Sequence, residues 1–311
     1  MKRLLLLALP AMLLFSCKKE EKGTDMSPYI LNQYRNSHQL PTQKFQANAA
    51  ATSTLITKKG IWMSIPAGAF ANQNGSPVTS GTIDISIDEY FSNADMVFGK
   101  VSTTAHDNTI LITGGMFKIT ASQNGSDLKM NAGQTIRVAI PSAGPNDGAM
   151  QIFKGAEISD AANRVVWDIT TIKWTGIDTP IGNQNRFYDF MINDLKWWNL
   201  DKYHDLGNGR TKMSVTLPGG FSNINAFTCL IMPNNGAVHL VSEGSVSQGF
   251  NTGNYTVPIG MQVKVLSVGA QQDKLYFNIT DPITVTNEMK VTVPALTQGT
   301  QEQVTNAIQG L

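Results

Sequence analysis

The hydrophobic and polar positions divide this chain into three stretches. Lys2 and Arg3 precede a run, residues 4–15, that carries no charge. Residues 26–51 are mostly Gln, Asn, Ser and Ala without hydrophobic periodicity, which predicts a linker of low order with at most one helical turn around residues 29–34. From Leu55 onward period-two alternation takes over. In Thr82-Ile83-Asp84-Ile85-Ser86-Ile87-Asp88 the isoleucines share one side and the polar residues the other, the pattern of a half-buried strand in an antiparallel sheet. Gly60-Ile61-Trp62-Met63-Ser64-Ile65 reads as a strand stopped by Pro66, which has no N–H for a ladder, and turned at Gly68. Asn74-Gly75 and Asn124-Gly125 supply tight turns. Further strands are predicted at residues 109–113, 116–121 and 135–140, and no helix-period segment interrupts them.

Turn formers fill Ser142-Ala143-Gly144-Pro145-Asn146-Asp147-Gly148, the best internal boundary. Beyond it, residues 150–153 and 165–169 predict a short hairpin closing onto the first sandwich. An aromatic segment follows, at residues 187–192 and 195–203. Strands return at 212–217, 226–232, 237–241, 261–268, 274–279 and 289–293, and Val304, Ala307, Ile308 and Leu311 stand at the spacing of a short terminal helix. The expected fold is all-β, with two antiparallel β-sandwich domains in tandem, a short C-terminal helix and a disordered N-terminal tether. Its divisions are a signal peptide at 1–16, a lipidated tether and linker at 17–54, a sandwich at 55–141, a hairpin and aromatic connecting segment at 142–209, and a second sandwich with its helix at 210–311.

An apolar run of about a dozen residues is too short for a bilayer core, which takes roughly 20 helical residues, and fits the core of a secretion signal. Its end, Leu14-Phe15-Ser16-Cys17, resembles the lipobox of bacterial lipoproteins. The resemblance implies that the signal is cut before Cys17 and that Cys17 carries the acyl chains binding the protein to the membrane. Two or more chains give stable anchoring, since each buried methylene contributes about 0.8 kcal/mol. Lys18-Lys19-Glu20-Glu21-Lys22 is a solvated tether, and a lysine-plus-acidic cluster at this place resembles the surface-export signal of Bacteroidetes-type lipoproteins. That implies a location on the outer leaflet of the outer membrane; a periplasm-facing spacer is the alternative.

The stretch from Gly60 through Pro66-Ala67-Gly68-Ala69-Phe70, with Thr113-Gly114-Gly115-Met116-Phe117-Lys118-Ile119, resembles the ZU5-type β-sandwich domain over residues 55–141. The version here is most similar to one found in uncharacterised lipoproteins of the same bacterial group. Domains of that family are mostly interaction modules, which implies a binding role. Some relatives cut themselves at His-Phe-Ser; here Tyr90 precedes Phe91-Ser92 and Gly220 precedes Phe221-Ser222, so self-cleavage is not implied.

Charge narrows the function classes further. Losing Lys2 and Arg3 takes 24 basic residues to 22 against 23 acidic ones, a net charge near −1, which argues against a nucleic-acid partner. With Cys17 acylated, Cys229 has no intramolecular partner and reads as a buried, inert thiol. His38, His106, His204 and His239 show no metal-ligand spacing, and no metal or cofactor is expected. Asp84 and Asp88, with Glu89 beside them, lie on one strand; carboxylates four residues apart there stand about 13 Å from each other, too far for a retaining glycosidase pair. Asp201 and Asp205 form a second acidic pair without a catalytic pattern. Trp197, Trp198 and Tyr203 are the candidate ligand-binding residues, as a stacking platform for a glycan, although adjacent tryptophans of an extended segment face opposite ways. The favoured reading is a non-enzymatic, lipid-anchored envelope or cell-surface module that holds a protein or glycan partner. The alternative is a glycan-binding or carbohydrate-processing accessory protein.

Overall fold

A computed structural model describes residues 25–142, 146–158, 165–178, 186–204, 206–233 and 236–311. The chain is half strand and one tenth helix, so strand pairing decides its architecture. In the first sandwich one sheet runs in the order Gln43–Asn48, Thr82–Tyr90, Leu111–Gln123, Lys196–Tyr203, Gln151–Glu157, Val165–Ile169. The facing sheet runs Thr175–Asp178, Arg186–Ile192, Ile136–Pro141, Trp62–Ile65, Ser53–Ile56. All these pairings are antiparallel. Ile83, Ile85 and Ile87 enter the core between the sheets with Phe117, Val138 and Trp198, as the alternation predicts. At Asn124 and Gly125 both φ angles are positive, 51° and 78°, the hairpin geometry that Asn-Gly favours.

The second sandwich packs the sheet Gly236–His239, Ala226–Met232, Gln262–Gln271, Lys274–Ile279, Thr297–Gly299 on a smaller one, Val241–Ser242, Gly249–Asn251, Met213–Thr216, Met289–Thr292. One departure from the antiparallel expectation occurs here: Met213–Thr216 and Met289–Thr292 run parallel. The predicted terminal helix is present as α3 (Gln301–Gln309), and the described residues hold two others, α1 (Ser27–Ser37) and α2 (Asn93–Gly99). All three belong to a third apolar layer in which Tyr34, Met96, Phe98, Val304 and Ile308 meet the outer faces of both sandwiches at Trp167, Trp197, Cys229 and Val268. The central sheets are therefore covered on both sides. That is why every residue of Ala226–Met232 is buried and the strand shows no alternation.

Several expectations are corrected. The linker of low order at residues 26–51 is instead α1 followed by the edge strand Gln43–Asn48. α1 orders because Leu31 and Tyr34 are buried on the second sandwich and Ser27 Oγ accepts from the Gln272 backbone N–H at 2.8 Å. The same twenty-odd residues then pair with Thr82–Tyr90 of the first sandwich, so the segment grips both units.

The uninterrupted strand run is broken by α2. Its start is a capping box in which Ser92 Oγ accepts from the Asp95 N–H and the Asp95 carboxylate accepts from the Ser92 N–H. The connecting segment at 142–209 is no joint either: Lys196–Tyr203 lies between Leu111–Gln123 and Gln151–Glu157, and the first sandwich extends to Tyr203.

Candidate functional site: a cationic cleft between the sandwiches

Where the two sandwiches meet, a cleft of about 690 Å³ opens between the ends of α1 and α2 and the edge of the second sandwich. α1 contributes Arg35 from its last turn, and α2 contributes Lys100, its C-cap, whose φ of 57° lies in the left-handed region. The first sandwich supplies Glu157 and Trp197, and the second supplies Phe227 and His239. The Arg35 guanidinium lies over the Phe227 ring, 4.4 Å from its centroid. Neither Arg35 nor Lys100 meets a carboxylate among the described residues. Glu157 is already occupied, accepting from Lys118 Nζ at 2.7 Å and from Trp197 Nε1 at 2.8 Å. Those two bonds, Lys118 first, hold its carboxyl below the usual range. Burial pulls the Arg35 guanidinium down from its ordinary value. Burial, then the charge of Arg35, does the same to Lys100.

Behind the cleft Cys229 Sγ stands 3.2 Å from His239 Nδ1. The pair resembles a thiol and its base only in distance. Burial pushes the Cys229 thiol up to about 12, and burial, then Arg35, pushes the His239 imidazole down to about 3, so both are neutral at ordinary pH and no thiolate forms. Cys229 is the buried thiol expected of it.

A second polar cluster lies on Lys196–Tyr203. Thr113 Oγ1 donates to Asn199 Oδ1 at 2.9 Å, and Asn199 Nδ2 donates to the Asp201 carboxyl. Asp201 is wholly buried, and its Oδ1 has no hydrogen-bond partner among the described residues. Burial pushes its pKa up to about 8, against the bond from Asn199, so it stays protonated near neutrality.

The expected ligand platform is not assembled. Trp198 is 0% exposed in the first core, and Trp197 is 6% exposed on the opposite face of the same strand. Tyr203 is half-buried, packing edge-on against Phe153. Adjacent tryptophans do point opposite ways, but each meets a covering layer, so no ring face is offered to a sugar. Cys17 and Asp205 lie outside the described residues.

The histidines are dispersed. His38 packs between Tyr34 and Phe98 and bonds Thr305 Oγ1 at 2.9 Å. His106 pairs with Asp168 at the exposed surface. No group of acidic, histidine or cysteine side chains suited to a metal ion occurs among the described residues. Sequence reading missed Arg35 and Lys100, which stand far apart in the chain and belong to helices it did not predict.

No family model matches this chain, and no curated protein matches it. Among solved structures it is similar to the gamma-CGTase from alkalophilic Bacillus clarkii, with 11% identity over 79% of this chain and 42% of that one. The TM-score is 0.18, too low to carry any argument. What fold and site define is a class: a mostly-β, two-sandwich chain with a helical layer and a cationic cleft between its halves.

Proposed function

We propose that this chain is a non-enzymatic, lipid-anchored outer-membrane protein, displayed at the cell surface, whose role is to bind a partner. The observation that supports binding is the cleft itself, where Arg35 and Lys100 meet no carboxylate among the described residues and stand beside buried aromatic surface. Support for the anchor comes from Leu14-Phe15-Ser16-Cys17 and the charged residues after it. The described residues begin at Asp25. From Cys17 to Asp25 the chain can reach at most about 28 Å, so an acylated Cys17 keeps α1 close to the bilayer.

Cys17→Ser is expected to abolish both fatty-acid labelling and membrane fractionation. A labelled variant would sink the anchor. Shaving intact cells with protease is expected to remove the protein, and full protection would reject surface display. Crosslinking of the acylated protein in its own envelope, followed by pull-down, tests the binding role; recovery of the chain alone counts against it.

A further inference from the structure

We infer that the cleft binds an organic oxyanion, a small molecule bearing a carboxylate, sulfate or phosphate group, with Arg35 and Lys100 as its cationic contacts. This rests on the binding role proposed above and names the chemistry of the ligand. Two cations facing one half-buried cavity repel each other, and partial desolvation raises the cost of each charge. A structural role would place a carboxylate between them. Among the described residues the carboxylate on the wall is Glu157, whose Oε1 is instead taken by Lys118 and Trp197 Nε1.

Geometry adds orientation. Phe227 holds the guanidinium in place with Cζ 4.4 Å over its ring, and a guanidinium so held suits a forked contact with two oxygens. Lys100 adds a point charge from another element. At about 690 Å³ the cavity is larger than a bare inorganic ion needs and falls in the range of small-molecule sites. Its remaining walls include Val165, Leu240 and Phe250, so the body of the ligand meets apolar surface while its charged end meets the cations. The polar rim is largely spent: Asn223 donates to the Gly244 and Ser245 carbonyls, and Ser242 Oγ donates to Gly244 O. The anionic group therefore carries the recognition.

The test is calorimetry on the full chain in detergent with chondroitin 4-sulfate disaccharide, glucose 1-phosphate and the neutral disaccharide lactose. At least one anionic probe is expected to bind, more weakly as salt rises, and lactose is not. Arg35→Gln and Lys100→Gln are each expected to weaken binding about tenfold, with Arg35→Lys losing less. Near-ultraviolet circular dichroism shows whether each variant keeps the native fold, and the two variants come from different helices, so one misfolded variant leaves the other decisive. No binding of either anion up to about 10 mM overturns the proposal, as does unchanged affinity in both folded variants. Lactose binding equal to that of the anions removes the anionic class but leaves the binding role standing. A partner recovered from the envelope equally well by the double variant does the same.

Discussion

Between pH 4 and 6.5 the stability of this protein against denaturant is expected to stay level, and between pH 6.5 and 8 it is expected to fall by about 1 kcal/mol. Two buried groups of opposite linkage produce that shape. Asp201 titrates at about 8 in the folded chain against an ordinary value of 3.8. The folded state therefore keeps a proton that the unfolded state loses, and this contribution declines as pH rises from 3.8 to 8. His239 titrates at about 3 against an ordinary 6.5. Here the unfolded state takes the proton first, so its contribution declines as pH falls from 6.5 to 3.

From about pH 4 to 6.5 the two slopes, each about 1.4 kcal/mol per pH unit, cancel. Above 6.5 only Asp201 is left. Glu157 and Asp147, held low by Lys118 and Lys202, act only on the acid limb and contribute little because solvent screens side chains this exposed, 60% and 39%. Asp201→Asn keeps an acceptor for Asn199 and removes the ionisation. It is expected to be level above pH 6.5 and to lose stability below it. His239→Gln should show the mirror image, gaining stability steadily from pH 8 down to 4. Tryptophan fluorescence in urea, repeated across pH, measures all three profiles; an Asp201→Asn protein that still loses stability between pH 6.5 and 8 refutes the assignment.

Neither Asp201 nor His239 announces itself in the sequence. Carboxylates are rarely buried, and nothing near Asp201 says that its strand will be central and covered on both faces. What was legible had one solvent face. Thr82–Tyr90 alternates because its other side is open, and its isoleucines were placed correctly. Lys196–Tyr203 has two covering layers, so its pattern is lost; the adjacent tryptophans that read as a candidate glycan platform are instead the two faces of one buried strand.

α1 buries only Leu31 and Tyr34 from its apolar side chains, and its partner strand is hundreds of residues away, so periodicity could not find it. α2 did leave a local signal, Ser92 three residues before Asp95, which is all that a seven-residue helix can leave. The cleft depends on both helices and was invisible for that reason.

Trp167→Ala is expected to cost about 3–5 kcal/mol, because the ring is wholly buried and its removal leaves a cavity. It also deprives the Ser102 carbonyl of the indole N–H that reaches it at 2.9 Å. Gly155 shows why the ring sits where it does. It pairs with Trp167 on one neighbouring strand and Trp197 on the other, and the two indoles meet edge to face above it with centroids 6.1 Å apart. A Cβ on Gly155 would stand 2.5 Å from Trp197 Cβ and 2.7 Å from both Trp167 Cζ3 and Val165 Cγ1.

Gly155→Ala alone should therefore cost about 1–3 kcal/mol through overpacking. With Trp167 already removed, part of that volume is free, and the double variant is expected to lose about 1 kcal/mol less than the sum of the singles. Strict additivity in urea melts would show that the glycine does not make room for the ring. The cycle also reaches the cleft. Trp197 Nε1 is one of the two donors that hold Glu157 Oε1 on the cleft wall, so a loosened Trp197 leaves that carboxylate held by Lys118 alone and freer to turn toward Arg35 and Lys100. Trp167→Ala is then expected to weaken anion binding without touching either cation, whereas Trp198→Ala, on the opposite face of the strand, should lower stability and leave affinity in the folded fraction unchanged.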